Sequence, residues 1–244
     1  MKYMGSKARF TKEILPIILK DRKPEQYFVD VFAGGMNVVC EVSGNRIAND
    51  INKYLISMWK CLTNGFTYPT VLNKDFYDSV RREYNKGTND YYDNCLIGWV
   101  GYMASANGRF FEGGYSGISI TKDGKTRDYI KESISNIEKQ IPKMIGVIFE
   151  NIKYNELDIP EKSIIYCDIP YKGTKQYSFS KDFNHDEFWM WCREMKNIGH
   201  QVFVSEYNAP DDVECVWSKE VKSSLSANGV SGGNKNSTEK LFKI

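Results

Sequence analysis

Histidine is scarce in this 244-residue chain, with only His185 and His200 present. The six cysteines (Cys40, Cys61, Cys95, Cys167, Cys192 and Cys215) form no CxxC pair. Zinc-site spacing is therefore absent and no metal site is expected. No triad or nicotinamide fingerprint supports hydrolysis or redox chemistry. Long apolar runs are missing too, and the N-terminal MKYMGSKARF lacks the apolar core of a signal peptide, so neither a membrane contact nor export is expected. Nor does one sign of charge dominate. With 33 Lys+Arg against 31 Asp+Glu the net charge is +2, so any nucleic-acid surface must arise from local clustering. These absences lead us to expect a cytoplasmic protein with reduced, buried thiols and no obligate protein partner. Internal repeats and low-complexity tracts are absent as well.

What is present suits a sizeable core. Hydrophobic residues make up 41% and charged residues 26%, with 16 Tyr and 13 Phe, as in one large domain or a domain carrying a lobe. The central stretch is Ser163 to Tyr177, SIIYCDIPYKGTKQY. Its apolar run Ile164–Cys167 reads as a buried parallel strand ending in Asp168. Ligands of open α/β sheets bind beyond the carboxyl ends of the strands, so that acid is well situated for chemistry. By alternation Cys167 should point away from it.

A second strand is expected at Tyr27–Phe32, followed by Ala33–Gly34–Gly35–Met36–Asn37 and then a helix. Glycines there let backbone approach a ligand, and a helix N-terminus would add donors. A third strand, Asn45–Ala48, ends in Asn49–Asp50. An acid at that point of such folds accepts ribose hydroxyls, although helix capping explains a lone Asp equally well. Residues 55 to 144 are richer in Tyr, Asn and charge, with helical spacing at Asp75–Tyr84 and Asp128–Ile141. Between these helices lie a glycine-rich loop, SANGRFFEGGYSG, and a hairpin, TKDGKT, with Lys122, Lys125 and Arg127. The segment suits either an inserted nucleic-acid lobe or a lid over a small-molecule site. Further on, Val147–Glu150 and Val202–Ser205 complete the sheet around a helix at Asp186–Ile198. A lysine-bearing tail forms a hairpin with a long loop over Ser223–Ser237 and apolar residues again at Leu241–Phe242.

The set KYMGSK, FVDVFAGG, ND, the lobe and CDIPY, in that order, resembles the Dam-like DNA adenine-N6 methyltransferases, particularly those of phages and prophages. The likeness extends to SANGRFFEGGYSG, YKGTKQY and SEYNAP. It implies a Rossmann-like, mainly parallel sheet with helices on both faces, formed by residues 1–55 and 145–244, and an inserted, mostly helical target-recognition lobe at 56–144. It implies S-adenosylmethionine as cofactor and double-stranded DNA as partner. Tyr3 and Lys7 stand in the N-terminal cofactor motif; Asp30, Phe32, Gly34 and Gly35 stand beside the methionine portion; Asp50 matches the ribose-binding acid. Asp168, Ile169, Pro170 and Tyr171 stand in the catalytic motif, usually Asp-Pro-Pro-Tyr, and Asp168 also borders the cofactor. Asn107, Arg109, Phe110 and Tyr115 are candidate DNA contacts, with the tail lysines on phosphates.

In that motif Asp168 and the Ile169 carbonyl would accept the two hydrogens of a target amine, and Tyr171 would stack on the base. Ile169 departs from the usual proline: it keeps the carbonyl but not the fixed φ. The base would have to be flipped out of the duplex. Cytosine C5 chemistry is disfavoured because no Pro-Cys occurs. Cytosine-N4 methylation, and a silent DNA-binding relic with Ile169 as its mark, remain as alternatives.

Overall fold

The computed structural model describes all residues except 122, 173–182 and 224–234. The expected YKGTKQY loop beyond Lys172, Lys122 of the hairpin and the tail loop lie outside the described residues. In chain order the elements are α1 (Thr11–Ile18), β1 (Phe28–Asp30), β2 (Arg46–Asn49), α2 (Lys53–Thr63), α3 (Lys74–Lys86), α4 (Asn94–Met103), β3 (Ile118–Ile120) and β4 (Thr126–Asp128). There follow α5 (Tyr129–Met144), β5 (Ile148–Glu150), β6 (Ile164–Asp168), α6 (His185–Asn197), β7 (Gln201–Glu206), β8 (Glu214–Ser223) and β9 (Lys235–Lys243). Asparagine or aspartate caps five of the helices: the side chains of Asn52, Asn73, Asp93, Asp128 and Asn184 accept N–H groups of the first turns of α2 to α6. Each such cap is worth about 1 kcal/mol.

Seven strands form one sheet in the order β5-β2-β1-β6-β7-β9-β8. The first five are mutually parallel, whereas β9 runs antiparallel to both β7 and β8. This is a Rossmann-like sheet, with the change of winding direction between β1 and β6. The parallel strands β1 and β6 are buried throughout their apolar positions because both faces are covered. Along β6 the residues alternate: Ile164 and Tyr166 pack with α1, α2, α5 and the lobe, whereas Ile165 and Cys167 pack with Phe188, Trp191 and Cys192 of α6. Cys167 therefore faces away from Asp168, as the alternation requires. Helices cover both faces, but unequally: among the described residues α6 is the helix on the second.

The core beneath the first face continues without a break into residues 72–137, joining Phe28 and Tyr166 to Trp59, Tyr77, Trp99 and Phe111. The expected boundary at residues 55/56 falls inside α2. A disulfide links Cys61 of α2 to Cys95 of α4. That departs from the expectation of reduced thiols throughout; Cys40, Cys167 and Cys192 are buried and free. After the glycine turn the expected helix is absent: only a single 3-10 turn, Val39–Glu41, forms before Val42 returns to extended backbone. β-Branched Val38, Val39 and Val42 suit that choice, and the turn brings no helix dipole to the site. Among the described residues no helix is long and apolar enough to cross a membrane.

Candidate functional site

Sheet register brings three acids together. Asp30 pairs with Ala48 of β2 and Tyr166 of β6, each two residues before an acid, Asp50 or Asp168. By strand alternation all three carboxylates project on the same face, beyond the carboxyl ends of three adjacent parallel strands. Asp30 is 1% exposed, and its Oδ1 has no hydrogen-bond partner among the described residues. Burial, then the neighbouring charges of Asp168 and Asp50, push its carboxyl well above the usual range, against one Val39 N–H. A buried carboxyl oxygen left without a partner is costly, so a donor or cation placed beside Asp30 would be favoured.

Asp50 spans the glycine turn. Its Oδ2 accepts the Gly34 N–H at 3.0 Å and its Oδ1 the Asn52 N–H at 2.9 Å. Burial raises its pKa and the two N–H groups oppose that. Tyr3 lies directly on the turn. A Cβ on Gly34 would approach its ring to 2.7 Å, and one on Gly35 would approach its Cβ to 2.6 Å, so both glycines exist for this contact. Asn37 ties the same segment down by donating to Ser6 Oγ at 2.8 Å. Phe32 belongs to an aromatic cluster with Tyr154, Phe183 and Phe188 at centroid separations of 5.7, 5.7 and 5.8 Å.

Lys7 is buried inside the site. Its Nζ lies 2.8 Å from Asp168 Oδ1, 3.8 Å from Glu239 Oε2 and 4.5 Å above the Tyr171 ring. Burial pushes the Asp168 carboxyl up, and Lys7 pulls it back. The Tyr171 hydroxyl donates to Glu239 Oε2 at 2.9 Å, and Tyr207 meets its ring edge-on at 4.5 Å. The ring is thus covered, and stacking on a base requires Lys7 or Tyr207 to yield. Ile169 is 3% exposed, its side chain packed in the α6-side core.

Three residues given no role from sequence complete the site. His185 Nε2 lies 2.9 Å from the Pro170 carbonyl, which it can meet only as a donor. Glu206 accepts the Lys172 N–H at 3.2 Å and the Tyr207 N–H at 2.7 Å, and burial pushes its pKa up to about 7. Glu239 arrives from β9 across the sheet. SEYN at the end of β7 offered a local sign for Glu206; Glu239 had none.

The candidate DNA residues separate. Asn107 is exposed, with φ 58°, and Arg109 is half-buried beside it. Phe110 does not face outward as expected. It is 9% exposed, packed on Tyr102, Tyr84 and Tyr54 at 4.8, 5.0 and 5.6 Å, where the absence of a side chain on Gly101 admits it. Tyr115 likewise turns inward, donating to the Leu72 carbonyl at 2.7 Å and packing on Tyr77. Both rings build the loop, because a glycine-rich segment needs buried anchors to hold one shape.

A glycine turn under an aromatic ring, an acid after the second strand, a buried Asp30 oxygen without a partner among the described residues and an Asp-x-Pro-Tyr turn thus meet at the switch of a Rossmann-like sheet. Residues 3–193 match the family model for D12 class N6 adenine-specific DNA methyltransferases, and the chain belongs to that family. It is 24% identical over 234 residues to modification methylase StsI of Streptococcus sanguinis, covering 85% of this chain and 33% of that protein. It is 21% identical over 190 residues to type II methyltransferase M.FokI of Planomicrobium okeanokoites, covering 70% of this chain and 28% of that one. The chain thus spans about a third of the length of the curated relatives it matches. Among solved structures, SMU.472 complexed with SAH aligns with all of this chain and 54% of its own, at 12% identity and a TM-score of 0.37. That likeness is too loose to define the fold, which the strand order defines by itself.

Proposed function

We propose that this protein transfers a methyl group from S-adenosylmethionine to the N6 amine of adenine in double-stranded DNA, inside a bacterial cell. The observation that carries this reading is the Asp168–Tyr171 turn of a D12-class chain, standing beside the orphaned Asp30 carboxylate at the switch point of the sheet. The residues present fit the cofactor. Three acidic groups, Asp30, Asp50 and Asp168, gather around one buried ammonium, Lys7, a set suited to a cationic ligand, and Tyr3 and Asn37 line the Gly34–Gly35 backbone. When bound, S-adenosylmethionine supplies an electrophilic methyl on a positively charged sulfur.

The chain's own task is then positioning. Adenine's amine is a weak nucleophile because its lone pair is delocalised into the ring. Asp168 and the Ile169 carbonyl accept its two N–H groups, draw the nitrogen toward sp3 and favour the positive charge developing there. Lys7, 2.8 Å from Asp168, opposes the burial that raises its carboxyl and so favours the ionised acceptor. Ile169 keeps the backbone carbonyl that proline would offer, its side chain is buried, and the following Pro170 restricts its ψ. Tyr3 and Asp50 shape the turn that receives the cofactor, and Phe32 walls its edge. Asn107 and Arg109 are the loop residues offered to DNA, and the base leaves the duplex at a cost of a few kcal/mol that such contacts offset.

The test is transfer of tritium from labelled S-adenosylmethionine to unmethylated DNA, followed by nucleoside analysis. Label in N6-methyladenine is the expected result. Label in N4-methylcytosine would shift the target base, and no label alongside intact cofactor binding would overturn the proposal in favour of a binding module.

A further inference from the structure

We infer that His185 and Glu206 are positioning residues that hold the Asp168–Lys172 turn from two sides, supplying the rigidity that proline at position 169 gives related sites. The inference rests on the reaction proposed above. The middle of the turn and its far end are gripped by different elements. His185, the first residue of α6, donates from Nε2 to the Pro170 carbonyl at 2.9 Å. Glu206, the last residue of β7, accepts the Lys172 N–H on Oε2 at 3.2 Å.

Both posts are themselves fixed. The backbone at His185 follows the Asn184 cap, whose side chain accepts the Asp186 and Glu187 N–H groups at 3.1 and 3.3 Å. The His185 ring also stands edge-on to Phe183 at 5.0 Å. Glu206 sits in the middle of the sheet, paired with Lys240 of β9, while its neighbour Ser205 pairs with Asp168 itself. Its second oxygen is occupied by the Tyr207 N–H at 2.7 Å. Neither post touches the amine, so neither is a catalytic residue.

The chemical need is specific. Pro170 restricts the ψ of Ile169 but nothing covalent restricts its φ, and φ of Ile169 swings the peptide whose carbonyl must meet the amine. Anchoring the next carbonyl and the N–H two residues on removes that freedom. The tolerance is small, since displacement of about 1 Å at a reacting centre can cost about a hundredfold in rate.

A double-mutant cycle separates positioning from general stability. His185→Phe should lower the single-turnover rate at least about tenfold, with S-adenosylmethionine affinity by calorimetry and the KM for DNA within about twofold of the parent. His185→Gln, which retains an amide donor, should recover most of the rate. In the Ile169→Pro background the loss on His185→Phe should shrink to about threefold or less. An equal loss in both backgrounds, or parallel loss of cofactor binding, overturns the inference. Hydrogen exchange reads the clamp without catalysis. The Lys172 amide should exchange at least about tenfold faster in Glu206→Ala and in His185→Phe than in the parent. Unchanged exchange also overturns the inference, whereas a protected amide in a parent that transfers no methyl group overturns the proposed reaction alone.

Discussion

Replacing Lys7 by methionine should disable the site by changing the protonation of Asp168. The ammonium lies 2.8 Å from Asp168 Oδ1 and 3.8 Å from Glu239 Oε2, at 7% exposure. At an effective dielectric of about 20 the shorter contact corresponds to roughly 6 kcal/mol of attraction. A tenfold change in an equilibrium needs only about 1.4 kcal/mol, so even a minor surviving fraction is decisive. Burial already raises the Asp168 carboxyl and Lys7 is the chief opposing influence, so its removal sends that pKa further up. A protonated Asp168 offers an O–H where the amine needs an acceptor. In single-turnover methyl transfer measured from about pH 5.5 to 9.5, the acid limb should move to higher pH and the neutral-pH rate fall more than about tenfold. Lys7→Arg, which keeps the charge, should lose far less. Stability should follow the same sign. With its cation gone, the buried Asp168 holds its proton more tightly folded than unfolded, so the variant loses stability as pH rises. Breaking a buried pair costs about 3–5 kcal/mol, a drop of about 10 °C in Tm by calorimetry for a chain of this size. An unmoved acid limb with only a weaker affinity for S-adenosylmethionine would refute this reasoning and make Lys7 a cofactor ligand alone.

Three further outcomes are expected. Asp50→Ala removes the acceptor of the Gly34 and Asn52 N–H groups, and should weaken S-adenosylmethionine binding at least about tenfold by calorimetry while leaving the helix content intact. Glu206, with its pKa pushed from 4.5 up to about 7, binds a proton folded that it has lost unfolded across that window. Stability should therefore be greatest below it and fall by about 3 kcal/mol as pH rises through it, a slope that Glu206→Gln flattens in urea titrations at stepped pH. Reducing the Cys61–Cys95 disulfide releases a constraint across 34 residues, worth up to about 4 kcal/mol. Tm should drop on adding dithiothreitol and not in Cys61→Ser, whose Tm should already be low.

Local pattern was sufficient for the framework. Alternation in Ile164–Cys167 required two buried faces, and the sheet provides them. Helical spacing over Asp75–Tyr84 and Asp128–Ile141 appears as α3 and α5, each begun by the cap its flanking Asn or Asp supplies. The glycine pair announced a close approach of backbone, and Tyr3 is what approaches. Where a neighbour in space outweighed the local signal, the pattern misled. Phe110 and Tyr115 stand as candidate DNA contacts on a glycine-rich loop, yet both pack among the aromatic rings of α2 to α4.

The sequence by itself determined the parallel strands, helices α3, α5 and α6, which strand ends carry acids and which turn carries Asp168, since periodic burial and turn chemistry are properties of a few adjacent residues. Only the tertiary structure decided that Lys7 pairs with Asp168, that Glu239 returns from β9 to meet Tyr171, and that His185 and Glu206 grip the turn between them. Those contacts join residues 15 to 161 positions apart in sequence. Each exists because strand order, set by packing across the whole sheet, brings its two ends to one edge.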